Sequence, residues 1–419
     1  MGQATQAAFD ARIDIDLGSM SDNARAVSTN VAGAEIRLSI HEELAGIEQD
    51  WRAFEQHADC TAFQSFEWLS TWQRHIGARS GTMPAVVCGR DTAGTLVFMF
   101  PFAVEPRGFL RQLTWLGSGL CDYNAPLLAP NFPQLIGPAR FMQVWREIMA
   151  RLQSHPRLGY DLVSFEKMPE RLGTQANPFL QIGVSSNPNS AYLTQLRGDW
   201  EAFYNEKRSS ATRRRDRTKR KKLAGIGEVR FVNPDTADIG AALDTFFVQK
   251  AQSFAHMGVT NLFVQPGYRE FYRDLATNAA TRHLVHVSRL DVGATHAAIN
   301  LGLMFRGCYY HVLASYDGGE VSKYGPGAAH LHELMRYAID NKCNAFDFTI
   351  GGERYKTDWS DTELKLFDHV AAAKLRGWPV AITIAVLSRL KRWIKQTPVV
   401  WDAVFKARAF VASLKGRGG

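Results

Sequence analysis

Between Glu35 and residue 57 apolar side chains recur at helical spacing, with Leu44, Ile47, Trp51 and Phe54 on one face, which predicts a helix over 42–57. A second helical stretch, SFEWLSTWQRHIG, runs to Gly77, a usual helix terminator. The period then changes. PAVVCGRD, a TAG turn and TLVFMFPFAVE read as a strand pair, and QLTWLGS, NAPLLAP and DLVSFEKM as further strands, with a helix over 138–153 between the last two. These elements make a mixed α/β domain ending near residue 184.

The second half repeats the order. Helices are predicted over 239–256 and in YREFYRDLATNA, followed by the strands HLVHVSRL, ATHAAINLGLMF and CYYHVLASY with short turns between them. Helix, strand, Gly turn and long strand recur in both halves with little residue identity, so one fold used twice is expected. Beyond residue 376 bulky apolar residues alternate with cations, and Asp402 is the only acid. The apolar run Pro379 to Leu387 is far short of the roughly 20 residues a membrane span needs. It fits an amphipathic helix on an anionic membrane surface, or a helix docked on its own domain.

Length and charge refine this picture. At 419 residues the chain is too long for one compact core. The net charge of +8 is local: KRSSATRRRDRTKRKK (207–222) carries ten cations and one acid. The remainder is therefore near neutral, and the run is a local patch rather than a general field. It can follow a phosphate backbone, grip anionic lipid or an acyl carrier protein, or form a solvated helix between domains, and its density suggests an anionic partner. Cys60, Cys88, Cys121, Cys308 and Cys343 are scattered and contain no C-x-x-C pair, which points to a reducing compartment and against a zinc site. Residues 1–34 are polar, lack the apolar core of a signal peptide, and are expected to be a disordered leader. Gln6 stands where a myristoylation signal needs Ser or Thr.

The chemistry begins at SKYGPGAAHL (322–331), where a strand, a loop and a helix over 327–342 meet the strand AFDFTIG. A helix N-terminus offers free N–H groups and partial positive charge to a phosphate, and Gly325 and Gly327 permit close approach. Pro and Gly also begin many helices that bind nothing. His330, Leu331, His332, Glu333 make no metal motif, since the histidines are two apart and H-E-x-x-H is incomplete. No metal is expected.

With GLCDYNAPLL (119–128), the run RRRDRTKRKKLAGIGEVRF, the turn SKYGPGAAHLHEL and FDFTIGGERYKTDW (346–359) in this order, the chain resembles the GNAT superfamily of acyl-CoA N-acyltransferases. It is most similar to the double-GNAT, cellulose-biosynthesis-type branch related to the Fem peptidoglycan transferases. The resemblance covers residues 35–370. It implies an α/β (α+β) fold of two tandem GNAT-like domains with mixed twisted sheets, over 35–184 and 185–375, followed by C-terminal amphipathic helices over 376–419. It also implies an acyl thioester against a splayed strand of the second domain, with its pyrophosphate at Lys323, Tyr324, Gly325, Gly327 and Ala328. The full Arg/Gln-and-glycine phosphate loop of the superfamily is absent. Fem-type relatives take aminoacyl-tRNA instead.

An amine acceptor must lose a proton before it attacks a thioester. Candidate bases near the strand end are His311, Asp317 and Glu353. Tyr316 or Tyr324 could protonate the leaving thiolate. Asp122 and Tyr123, a pair the resemblance includes, and Lys356 are candidate acceptor-binding residues. The expected function is transfer of an acyl group from acyl-CoA or acyl carrier protein, as co-substrate with no resident cofactor, to a lipophilic primary amine. The best candidate is a long-chain sphingoid base, as in a bacterial ceramide-synthase-like enzyme. Acylation of envelope polysaccharide sugars, Fem-type transfer and a non-catalytic scaffold are the alternatives. Nucleic acid is the less favoured partner, and the expected location is the cytoplasm, with peripheral contact on the inner membrane.

Overall fold

The structure is a computed structural model and describes residues 35–396. The first half runs β1 (Arg37–His41), α1 (Glu48–Glu55), α2 (Phe66–Trp72), β2 (Met83–Arg90), β3 (Leu96–Arg107), β4 (Leu110–Trp115), β5 (Leu127–Leu128), α3 (Phe132–Leu135), α4 (Pro138–Ser154) and β6 (Leu162–Pro169). A small hairpin, β7 (Arg171–Leu172) and β8 (Gln175–Ala176), precedes β9 (Ser185–Gln195). The second half begins with α5 (Trp200–Lys207), α6 (Ser210–Ala224), β10 (Val229–Val232), α7 (Thr236–Met257), α8 (Tyr268–Thr277), β11 (Val285–Val292), β12 (Thr295–Phe305) and β13 (Cys308–Tyr316). It ends with α9 (Pro326–Asp340), β14 (Ala345–Ile350), α10 (Arg354–Trp359), β15 (Thr362–Ala372) and α11 (Trp378–Gln396).

Twelve of these strands form one path, β1-β2-β3-β4-β6-β15-β9-β14-β13-β12-β11-β10, with β5 beside β3. The two halves follow one plan: an edge strand, two helices, three antiparallel strands, a crossover helix and a parallel strand. The parallel pairs are β4–β6 and β13–β14. The middle of the sheet is made by exchange. β9 leaves the first half to pair β14 of the second, while β15 returns from the second half to pair β6 of the first. β9 and β15 also pair with each other.

Three apolar layers hold this sheet. Helices α1, α2, α7 and α8 share one core that spans both halves, where Trp68 of α2 meets Phe271 of α8 edge-on at 5.0 Å. Helix α4 covers the first-half strands, and α5 and α9 cover β13 and β14. Local chemistry explains where the elements differ from the sequence reading. The helix expected over 42–57 is α1 preceded by a 3₁₀ turn at Ala45–Ile47, because Ile47 (φ −121°) leaves the helical region. NAPLLAP shrinks to the two residues of β5, flanked by Pro126 and Pro130, which lack N–H donors for a ladder. The expected leader (1–34) and the end of the tail (397–419) lie outside the described residues. Among the described residues no helix is long and apolar enough to cross a membrane.

One core residue makes folding stability depend on pH. Glu55 is buried on α1, its Oε2 accepting the Phe66 N–H at 2.8 Å, and burial, then the neighbouring Glu67, raises its pKa from 4.5 to about 8. Folding thus favours the protonated acid. The cost of ionising it is absent below its ordinary pKa and grows as pH rises to about 8. Glu55→Gln is expected to raise Tm by roughly 2–4 °C at alkaline pH, since each kcal/mol shifts a large domain by about that much. Near pH ~4 the same substitution should change little, and differential scanning fluorimetry across pH checks both limbs.

Candidate active site

The parallel ladder between β13 and β14 is short. It pairs Cys308 with Ala345, Tyr309 with Phe346 and Tyr310 with Asp347, and then ends. His311 is the first β13 residue past it. On β14 the pairing with β9 shifts register between Asp347 and Thr349, and Thr349 sits at φ +59°, which a β-branched residue rarely adopts. This strained turn aims the Thr349 N–H back at Asp347 Oδ1 (2.7 Å) and brings the Thr349 Oγ1 hydroxyl to donate to the His311 carbonyl at 3.4 Å. The strands therefore splay where polar side chains replace the ladder.

Asp347 is the centre of this cluster. Its Oδ1 also accepts the Tyr123 hydroxyl at 2.7 Å, a bond that joins the two halves of the chain. Burial raises the Asp347 pKa from 3.8 to about 7, although the hydrogen bonds from Tyr123 and Thr349 hold it down. Tyr123 is itself fixed. Gln64 Nε2 donates to its carbonyl at 2.8 Å, Phe63 packs between it and Tyr310, and the Lys167 ammonium donates to the Cys121 carbonyl. Asp122, next in the chain, has its pKa raised by burial and held down mainly by Lys167.

Around this pair stand the groups expected from sequence. Lys356, on α10, is buried, donates to the Ile350 carbonyl at 2.7 Å and lies 3.2 Å from Glu353 Oε2, whose own side chain is exposed. His311 is buried, and desolvation, then the charges of Lys356 and Lys250, lowers its pKa to about 3. Its ring is therefore neutral at physiological pH. Tyr316 is exposed at the end of β13 and lies against the α9 entry, 3.7 Å from where a Gly327 Cβ would stand. Asp317 closes a turn, its Oδ2 accepting the Gly319 N–H at 2.9 Å.

The second centre is the α9 N-terminus. Gly325 occupies the left-handed region (φ +70°), and no side chain caps the helix, which leaves the first N–H groups, including those of Gly327 and Ala328, without a side-chain acceptor. Facing them is α6, the helix formed by the basic run. Arg213, Arg217, Lys219 and Arg220 join Tyr324, Gly325 and Ala328 around a cavity of about 200 Å³. Arg220 also pairs with Glu333 of α9, while Lys222 and Lys323 lie 5.9 and 5.1 Å from the Tyr324 ring. Glu201 and Asp216 also line the cavity, Asp216 accepting the Tyr204 hydroxyl, so the helix N-terminus faces a mostly cationic wall, an arrangement that can favour an anion. Among the described residues no group of His, Cys, Asp or Glu could hold a metal ion.

Sequence reasoning named the residues of both centres separately and missed four features. Asp347 was overlooked although a lone acid in the apolar strand AFDFTI is itself a signal, since unpaired acids are almost never buried. Thr349 and Lys250 carry no pattern. The meeting of the basic run with the GPG turn depends on tertiary packing, which spacing does not encode.

Similarity to known proteins extends over this region. Residues 210–357 match the family model of the acetyltransferase (GNAT) domain, a span that contains α6, the α9 turn and the splayed strands. The crystal structure of FemX superposes with a TM-score of 0.52 at 9% identity, over 76% of this chain and 95% of that one. A tandem GNAT protein from the clavulanic acid biosynthesis pathway gives 0.46 at 12% identity, over 81% and 99% of the two chains. L-PGS from Bacillus licheniformis gives 0.45 at 13% identity, over 82% and 96%. No curated protein sequence matches the chain. Residues 210–357 therefore carry the likeness to an acetyltransferase (GNAT) domain, and the chain shares the fold of FemX.

Proposed function

We propose that the enzyme transfers an acyl group from acyl-CoA, or from acyl carrier protein, to a primary amine, with Asp347 as the general base and a long-chain sphingoid base as the acceptor. The observation that carries the reading is the Asp347–Tyr123 pair at the splay, where a carboxylate with a pKa of about 7 is half ionised at neutral pH. This reading treats 35–184 and 185–375 as two modules, the first supplying Asp122 and Tyr123 to the acceptor and the second holding the donor. The donor's pyrophosphate rests on the N–H groups of Gly327 and Ala328 against Lys219 and Arg217. From there to Asp347 the path follows β13 from Tyr316 to His311, roughly 16 Å at about 3.3 Å per residue, which suits an extended pantetheine arm.

In this mechanism the acceptor ammonium is held by Asp122 and gives one proton to Asp347. The freed amine attacks the thioester carbonyl, a C–N bond forms, and the oxyanion is met by a backbone N–H at the splay. The C–S bond then breaks, and the thiolate takes the second proton that the attacking nitrogen must lose, so that ammonium and thioester become amide and thiol with one proton left on Asp347. Tyr316 lies at the pyrophosphate end of the path. His311, being neutral, accepts hydrogen bonds and keeps the site free of a competing charge. The five unpaired cysteines accord with action in the reducing cytoplasm.

Aminoacyl-tRNA donation is the second reading, favoured by the exposed Arg214, Arg215 and Lys221, cations beyond those lining the cavity. Incubation with short- and long-chain acyl-CoA and a panel of amines, read as free thiol and product mass, separates the two. Thiol release with an N-acylated long-chain base is expected. Absence of any acylated product with every amine would overturn the proposal, and transfer from charged tRNA alone would establish the second reading.

A further inference from the structure

Helix α11 is amphipathic in the unexpected sense. It lies against β15 and β9 with Val380, Ala381, Ile384, Ala385, Ser388 and Arg392 half-buried, and Arg392 donates to the Ser186 carbonyl. Most of its larger apolar side chains point away from the protein: Trp378, Ile382, Val386, Leu387 and Leu390 are each between 47% and 57% exposed. Leu375, in the turn before the helix, is 87% exposed and extends the same stripe. A helix that turns its bulky apolar residues outward is not placed so for the sake of its own core, and a continuous patch of this kind marks a contact surface.

The charges around the stripe choose the partner. From Ala373 to Gln396 the chain has six cations and no acid. Lys374 and Arg376 are turned to Asp161, whereas Arg389 and Lys391 are exposed beside the apolar stripe. A second copy of this face would bring like charge against like charge. An anionic interface would satisfy the cations and the apolar stripe together. Trp378, an amphipathic ring at the start of the helix, is the residue type that settles at headgroup depth. The helix is also too short in apolar length to span a bilayer.

We infer that the outward face of α11 is a membrane-binding surface that lays the enzyme flat on a bilayer containing anionic phospholipid. Ile382, Val386 and Leu390 enter the headgroup–acyl boundary, while Arg389 and Lys391 meet the lipid phosphates. The inference is independent of the acyl-transfer reading, because none of these residues touches the splay or the α6–α9 cavity.

The test is co-sedimentation of the full chain with vesicles of phosphatidylcholine alone and of phosphatidylcholine with phosphatidylglycerol. Binding is expected to the anionic vesicles, weakened by salt. Ile382→Glu combined with Leu390→Glu should lower partitioning by at least about tenfold, the equivalent of 1.4 kcal/mol, which is less than two buried aliphatic side chains contribute. Arg389→Glu with Lys391→Glu, which leaves the apolar residues in place, should lower binding to anionic vesicles while leaving thermal stability unchanged. Failure of the full chain to bind anionic vesicles would overturn the inference, as would equal binding by both double variants. So would size-exclusion chromatography showing an oligomer that Ile382→Glu/Leu390→Glu splits, since the face would then belong to self-association.

Discussion

Asp347→Asn is expected to lower kcat by roughly 10²–10⁴-fold, the usual worth of a positioned general base, with the fold intact. Asparagine is nearly isosteric and keeps an oxygen to accept the Tyr123 hydroxyl and the Thr349 N–H, so the interface between the halves survives while the proton acceptor is lost. The pH profile carries the sharper signature. With the Asp347 pKa raised to about 7, kcat/KM should rise with pH and level off above it as the carboxylate ionises. That limb should vanish in Asp347→Asn. Tyr123→Phe should move it instead: the hydroxyl's hydrogen bond stabilises the ionised form, so its removal raises the Asp347 pKa and shifts the limb to higher pH. Full activity in Asp347→Asn would place the base elsewhere, with Glu353 the next residue to test.

Ala328→Asp is expected to raise the KM for acyl-CoA by roughly 10–100-fold, equivalent to about 1.4–2.8 kcal/mol, with no loss of thermal stability. Ala328 is exposed, lies in the first turn of α9 and lines the cavity that α6 closes. A carboxylate there suits the helix, contributing about 0.3–1 kcal/mol through the helix dipole. It is wrong for the ligand, because it takes up the N–H groups a pyrophosphate would use and repels it by about 4 kcal/mol at 4 Å in a partly screened site. Stability and donor affinity therefore move in opposite directions, which a merely structural change would not produce. Steady-state kinetics with varied acyl-CoA, beside a melting curve, decides it. An unchanged KM would remove the α9 N-terminus from the donor site.

Much of this was legible in the chain. Periodicity found the paired helices, the strand triplets and the repeat of the whole order, because each signal lies within one element. The tail helix was legible as amphipathic, but which way its apolar face turns depends on the packing of Ala381, Ala385 and Ser388 against the sheet, and spacing is silent on that. The site was half legible for a related reason. His311 and Lys356 stand out as residue types near strand ends, and Asp122 and Tyr123 through the resemblance of the DY pair. The partner that joins them, Asp347, lies 224 positions from Tyr123, and no local rule reaches that far. His311 shows the reverse limit: an imidazole suits base chemistry by type, yet burial beside two lysines takes its proton affinity away.

The exchanged strands β9 and β15 also bear on how the chain is made. β15 pairs Ala372 with Leu162 and completes a sheet begun more than two hundred residues earlier. During synthesis, the first half would leave the ribosome with β6 unpaired on the side that β15 later fills, an open edge of the kind that invites misassembly. Closure waits for the last described strand. Neither half can complete its sheet alone, and the pairing of β15 with β6 across so long a separation is expected to be slow.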